Sequence, residues 1–189
     1  MKSVRLISGL IFTVVLSTAV QALPAKGTYD IDAAHSYAGF KVDHLGYSKL
    51  VGRFNDISGE IIVKDAKQGS LVVLIKSASI DTNHQKRDEH LRSPDFFNSK
   101  QFPELRFTSP LQVSKDGKSL SGELTLLGVK KNISLALVEG KQAKDPWGLE
   151  RIGYSATTTI KRSDFGMDYM LGGIGDEIEI EIFVEAVKK

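Results

Sequence analysis

From residue 27 onward the chain alternates apolar and polar residues with a period of two. The clearest case lies at the C-terminus. Ile178, Ile180, Ile182, Val184 and Ala186 fall on one side, and Glu177, Glu179, Glu181, Phe183 and Glu185 on the other. Successive side chains of an extended strand point to opposite faces, so this pattern predicts a strand with one dry and one wet face. Ala38, Phe40, Val42 and His44 alternate in the same way with Tyr37, Lys41 and Asp43. So do Leu120, Gly122, Leu124 and Leu126; Ile133, Leu135 and Leu137; and Ile152, Tyr154, Ala156, Thr158 and Ile160. Further strands are expected over 27–32, 51–64 and 105–114, with Gly52, Ser58 and Gly59 marking a bend. Residues 71–80 form a nearly continuous apolar run, the pattern of a strand buried on both faces. Between these segments, 46–50 reads as a turn or a single helical turn, 65–69 as a polar turn, and Asp116-Gly117 as a two-residue primed hairpin. Gly128, the loop 144–148 and the glycine-bearing loop 164–175 separate the last strands.

One stretch breaks the alternation. Residues 82–107 open with Thr82 and Gln85 at capping-box spacing, and Ser93-Pro94 offers a second helix start. Phe96, Phe97, Phe102 and Phe107 follow. An antiparallel sheet interrupted by short helices and a Phe-rich tail suggests a cover over the mouth or flank of the fold. The expectation is an all-β chain of about eight antiparallel strands with a short helical segment inserted between them. Such a set can close into a barrel and remove its own edges, or pack as a two-sheet sandwich. A barrel of that size either fills with its own side chains or holds one small ligand.

The N-terminus has a different character. Lys2 and Arg5 precede a mostly apolar segment, 6–16, too short to span a bilayer, and Val20-Gln21-Ala22 supplies small or slim residues for cleavage. Residues 1–22 therefore read as a secretory signal peptide and 23–189 as one domain. Of 25 Lys and Arg, two leave with the leader, so 23 basic residues match 23 acidic ones. A neutral mature chain gives no electrostatic case for nucleic acid. The chain has no cysteine, which removes thiol chemistry and disulfide staples.

Enzyme signatures fail on inspection. Gly117-Lys118-Ser119 lacks the upstream glycine of a phosphate loop, Gly173-x-Gly175 leads into a strand, and no Gly-x-Ser-x-Gly elbow occurs. His84 and His90 are six apart and face different sides of a helix, so they make a poor metal pair. His44 has inward parity; it could meet a ligand head group, or be satisfied by a carboxylate or carbonyl. Arg162 shares an inward face two residues before Asp164, which points first to a structural ion pair at one barrel end and second to head-group contact. Arg87 and Asp88 are expected to tie the helical segment to the barrel, and Trp147 to plug or anchor its loop.

Several motifs together resemble the YceI-like proteins. They are His35-Ser36 with Phe40-x-Val42-x-His44-Leu45, Gly52-x-Phe54 and Gly59, then Ser79-Ile80-Asp81-Thr82 with Arg87-Asp88-x-His90-Leu91. Phe96-Phe97, Phe102-Pro103-x-Leu105-x-Phe107, Gly122-x-Leu124-x-Leu126-x-Gly128-Val129-x-Lys131 and Ile160-x-Arg162-x-Asp164-Phe165-Gly166 continue the match. The resemblance implies a lipocalin-like antiparallel barrel, exported in bacteria, commonly dimeric, holding a polyisoprenoid or related long-chain lipid in an apolar tunnel. It carries no catalytic motif, so no enzyme activity, cofactor or metal is expected. No stable membrane insertion of the mature chain is expected either. The residues expected to form the tunnel wall and its cover are Phe40, Val42, Phe54, Ile75, Leu91, Phe96, Phe97, Phe107, Leu124, Leu135, Tyr154, Ile160 and Ile180, with His44 and Arg162 as polar contacts. Two rivals are an enzyme acting on such a lipid through His44 with Asp43 or Arg162 with Asp164, and a filled structural barrel working through a dimer surface.

Overall fold

The structure, a computed structural model, describes residues 23–65 and 68–189. The proposed signal peptide, 1–22, lies outside the described residues. The strands are β1 (Gly27–Ile31), β2 (Tyr37–His44), β3 (Ser48–Phe54), β4 (Ile57–Val63), β5 (Gly69–Lys76) and β6 (Ile80–Asp81). One helix, α1 (Gln85–Leu91), follows, and then β7 (Glu104–Ser109), β8 (Ser119–Leu126), β9 (Val129–Lys144), β10 (Glu150–Lys161) and β11 (Ile174–Lys188). Every pairing is antiparallel, and β11 returns to pair with β1 through Ile31↔Ala186, which closes the sheet. β1 with β2, β3 with β4, and β5 with β6 each act as one interrupted stave, so the ring is an eight-strand barrel rather than a sandwich. Closure pairs β1 on both sides, with β4 and with β11, where an open sheet would present an edge.

The interruptions have local causes. Between β1 and β2, Asp32 caps a single 3-10 turn by accepting a hydrogen bond from Ala34 N at 3.1 Å. Between β5 and β6, Ser77 is buried and its hydroxyl donates to Phe102 O at 2.7 Å. These breaks let β11 pair with β1 near its end and with β2 over Ile178–Phe183. Gly122 on β8 is required by close approach: a β-carbon there would lie 2.3 Å from Phe107 Cζ and 2.5 Å from Thr108 O.

Several local expectations are corrected. α1 starts later than a Thr82 cap implies; His84 is the cap, its Nδ1 accepting from Arg87 N at 3.2 Å. Thr82 instead donates both its N–H and its hydroxyl to Asp88. Residues 93–97 form turns closed by backbone bonds, not a second helix. The 114–119 connection is a four-residue loop between Ser114 and Ser119, with Gly117 at φ 74°, not a two-residue hairpin. β3 begins at Ser48, inside the segment expected to be a turn. Residues 71–75 are half-buried rather than buried on both faces, because one face looks into a hollow. Trp147 is 82% exposed and plugs nothing.

Candidate functional site

The barrel is packed at one end and open along its middle. Tyr29, Ile31, Ile61, Ile152 and Ala186 are brought together by the β1–β4, β1–β11 and β10–β11 pairings, and all are buried. The segment before β1 is fastened at this end. Tyr29 Oη donates to Ala25 O at 2.7 Å, Ala25 N donates to Gln142 Oε1 at 2.9 Å, and Leu23 packs on the core.

Past this layer the inward side chains pack against the wall but do not fill the axis. Ile178, Ile180, Ile182 and Val184 of β11 all face inward, yet none is fully buried. Their remaining accessible surface borders an internal cavity of about 720 Å³, within the range of lipid and drug-sized ligand sites. The lining is overwhelmingly aliphatic and aromatic. Small residues leave the room: Ala38 and Ala156 flank Ile182 in one row across β2, β11 and β10, and both border the cavity.

All fifteen residues singled out from the sequence line this one space. Phe40, Val42 and His44 come from β2, Phe54 from β3, Ile75 from β5, Phe107 from β7, Leu124 from β8 and Leu135 from β9. Tyr154 and Ile160 come from β10, Arg162 from the turn after it and Ile180 from β11. Leu91, Phe96 and Phe97 come from the inserted segment, which supplies wall at the end opposite Tyr29. Phe54 meets Phe97 edge-on with centroids 5.4 Å apart, and Phe40 tilts against Phe54 at 6.0 Å.

The insert is held by arginines bonding to backbone and hydroxyl oxygens. Arg87 donates to Thr82 Oγ1 and Thr82 O, each at 2.7 Å, while Arg92 reaches Ala78 O at 2.7 Å and Ile80 O at 3.0 Å. His90 bonds Asp95 at 2.8 Å and stacks edge-on with Phe96 and Tyr169 at 5.1 and 5.5 Å, joining the insert to the loop before β11.

The most deeply buried polar group of the lining, Arg162, serves structure. Arg162, 2% exposed, forms no ion pair with Asp164, which is exposed. Its guanidinium donates to Gly175 O, Met167 O and Ile174 O, each at 2.9 Å, and so pins the loop that follows β10. Burial pushes its pKa down, with nearby Asp176 and Asp168 opposing. Burial likewise pushes the Tyr154 hydroxyl up, reinforced by Tyr29. His44 is exposed at the mouth, and Asp43 is engaged by Gly46 N at 2.9 Å. Among the described residues, neither proposed pair, His44 with Asp43 or Arg162 with Asp164, forms an ion pair.

A family profile of the YceI-like domain matches residues 29–186. The chain belongs to the YceI-like family. It is 40% identical over 185 residues to a UPF0312 protein of Photorhabdus laumondii, covering 96% of each chain. It is 39% identical to Protein YceI of Escherichia coli O157:H7, again over 96% of each. Among solved structures, the Campylobacter jejuni YCEI protein superposes with a TM-score of 0.69 at 38% identity, covering 78% of this chain and 90% of that one. A polyisoprenoid binding domain from Saccharophagus degradans shares the fold with a TM-score of 0.68 at 18% identity, covering 87% and 100%.

The YceI-like barrel has further lining residues that strand parity alone marks as inward. Leu71, Val73 and Leu105 are inward positions on β5 and β7. Leu23 and Pro24 border the cavity from the segment before β1, which carries no alternation to announce them. Away from the lumen, Asp32, His35 and Glu185 lie close enough to suggest a cation site, but Arg151 fills it, reaching Asp32 at 2.7 Å and Glu185 at 2.8 Å. That guanidinium, followed by His35, holds the Asp32 carboxyl down at about 2.

Proposed function

We propose that this YceI-like protein holds one long-chain lipid, of polyisoprenoid or similar acyl type, inside its barrel, as a carrier or sequestering protein. The proposal places it in the periplasm after removal of residues 1–22, as a homodimer, binding without chemistry. The observation that carries this reading is the row Ile178, Ile180, Ile182 and Val184, whose apolar surface borders a void of about 720 Å³ instead of packed atoms. Such surface is more stable against hydrocarbon than against water. A tail burying about 500 Å² would gain on the order of 12 kcal/mol, at roughly 25 cal/mol per Å². Association costs about 4–15 kcal/mol, so a gain of this size brings binding on apolar contact alone within reach, and each shortening of the chain lowers it. The relation to a polyisoprenoid binding domain agrees in fold.

The test is native mass spectrometry of the protein purified from its own cell envelope, with organic extraction of what it carries. A stoichiometric long-chain lipid is the expected result. A consistently empty protein that also takes up no added long-chain lipid would overturn the proposal. The same spectra read the dimer, and the N-terminal mass reads cleavage after Ala22.

A further inference from the structure

Leu45, Tyr47, Val51, Tyr169, Met170 and Leu171 are large apolar residues between 37% and 89% exposed. Leu45 and Tyr47 come from the β2–β3 turn and Tyr169, Met170 and Leu171 from the loop before β11, both at one barrel end, and Val51 comes from the adjoining strand β3. These loops are joined: Leu45 N donates to Gly173 O at 2.8 Å. A β-carbon built at Gly173 would lie 3.1 Å from both Leu45 Cδ2 and Met170 Cε, so the two side chains meet over that glycine. Leu45 and Met170 sit at φ 56° and 53°, a region that residues with side chains rarely occupy. Leu45, Val51, Tyr169 and Met170 also border the lumen, so wall and exposed rim form one continuous apolar surface. Isolated exposed apolar residues are ordinary; a patch opening into a cavity marks an interaction site.

We infer that this rim seats on the surface of a phospholipid bilayer, so that a lipid chain passes between membrane and lumen without crossing water. The inference rests on the lipid-holding reading and adds the place and route of loading. Continuity decides the partner: a hydrocarbon chain leaving a membrane needs an unbroken apolar path, and this rim supplies the part of it outside the barrel. Tyr47 and Tyr169 suit the boundary, where a ring lies in the apolar layer and its hydroxyl stays wet. Among the described residues no helix is long and apolar enough to cross a membrane.

The experiment uses vesicles of phosphatidylcholine with brominated acyl chains. Tyr47→Trp in a Trp147→Phe background puts the fluorophore on the rim. Trp147 of the unaltered protein lies in the β9–β10 loop, at the other barrel end, and serves as the control. Quenching at position 47 with none at Trp147 is the expected result. A second arm compares uptake of a fluorescent long-chain lipid from ethanol with its transfer from vesicles. Tyr47→Ser with Leu171→Ser, neither of which borders the lumen, should leave uptake from ethanol unchanged. Transfer from vesicles should fall by at least about tenfold, because surface binding scales with the apolar area inserted. Equal quenching at both positions, no quenching at position 47, or unchanged transfer in the double variant overturns the inference while leaving the lipid-holding reading in place. So does a dimer that the double variant dissociates, because a second copy then covers the rim. Failure of the unaltered protein to take up lipid from ethanol overturns both.

Discussion

Ile180→Trp separates a hollow barrel from a filled one. Ile180 stands on β11 between Phe40 and Thr158 in one row, and all three border the cavity. In a packed core, added bulk forces neighbours off their rotamers and costs about 1–3 kcal/mol. For a chain of this size that lowers Tm by roughly 2–4 °C per kcal/mol. Here the indole has about 720 Å³ to grow into. Exchanging on the order of 50 Å² of water contact for wall contact would offset any strain by about 1 kcal/mol. The unliganded variant should therefore melt at or above the parent temperature. The ligand pays the difference: if the ring displaces about four methylenes, each worth about 0.8 kcal/mol, affinity falls by about 3 kcal/mol, or roughly 200-fold in Kd. Thermal melts of delipidated protein, with titration of a fluorescent long-chain lipid, measure both. A variant that melts lower and binds as tightly as the parent would refute the argument, because the indole would then compete with side chains rather than with lipid.

Arg162→Met should cost about 3 kcal/mol or more in denaturant titrations, since the carbonyls of Met167, Ile174 and Gly175 lose their donors, and amide exchange should rise first over 166–175. Gly122→Ala should destabilise by about 1–3 kcal/mol in the same titrations, because Thr108 O and the Phe107 ring occupy the space of the new carbon. Asp32 sets an acid limit: its carboxyl lies at about 2 against an ordinary 3.8. A depressed folded-state value means stabilisation complete above the ordinary value and lost as pH falls through the folded one, so stability should drop between about pH 4 and pH 2. Asp32→Asn should flatten that part of the stability–pH curve, and a curve of unchanged steepness would count against the Arg151 pairing. Asp88→Asn weakens the acceptor that holds Thr82 N and Oγ1 at 2.9 and 2.5 Å, so proteolysis within 82–103 should quicken while the β8–β9 hairpin stays protected.

Strand parity is the part of this molecule that its sequence states openly. Once a segment is extended, the side each residue faces follows from the pleat, and a barrel turns all its dry sides toward one axis. That is why positions as far apart as Phe40 and Ile180 meet in one lumen. Backbone partners are silent by comparison. An arginine beside an aspartate invites an ion pair, yet Arg162 is satisfied by three carbonyls, a role that belongs to the path of residues 167–175 rather than to any side chain there. The same holds at α1, where Asn83 takes φ 60° and shifts the cap from Thr82 to His84. Between 93 and 98, with Asn98 at φ 44°, backbone bonds close turns that a cap followed by proline could equally have made helical.

How much room the axis holds is a different question from which residues face it. Eight staves lie at the boundary where side chains can just fill the interior, so the sizes along each row decide. In one row, Ala38, Ile182, Ala156 and Leu137 follow one another across four strands, and in the next Gly52, Phe40, Ile180 and Thr158 do. In the first of these rows alanine takes two places where leucine would reach the axis. In the second, the glycine leaves its space to the ring of Phe40, which a β-carbon at position 52 would strike at 2.4 Å. Nearer the packed end, Tyr29 stands opposite Ile61, and Ile31 and Ile152 lie on either side of Ala186; all five are buried, and of them only Ile61 borders the cavity. The contrast between those levels is written in residue volume, but it becomes legible only when register puts non-adjacent residues in a single row. Alternation therefore names the inward faces, while the closure of the barrel and its hollow need the pairings.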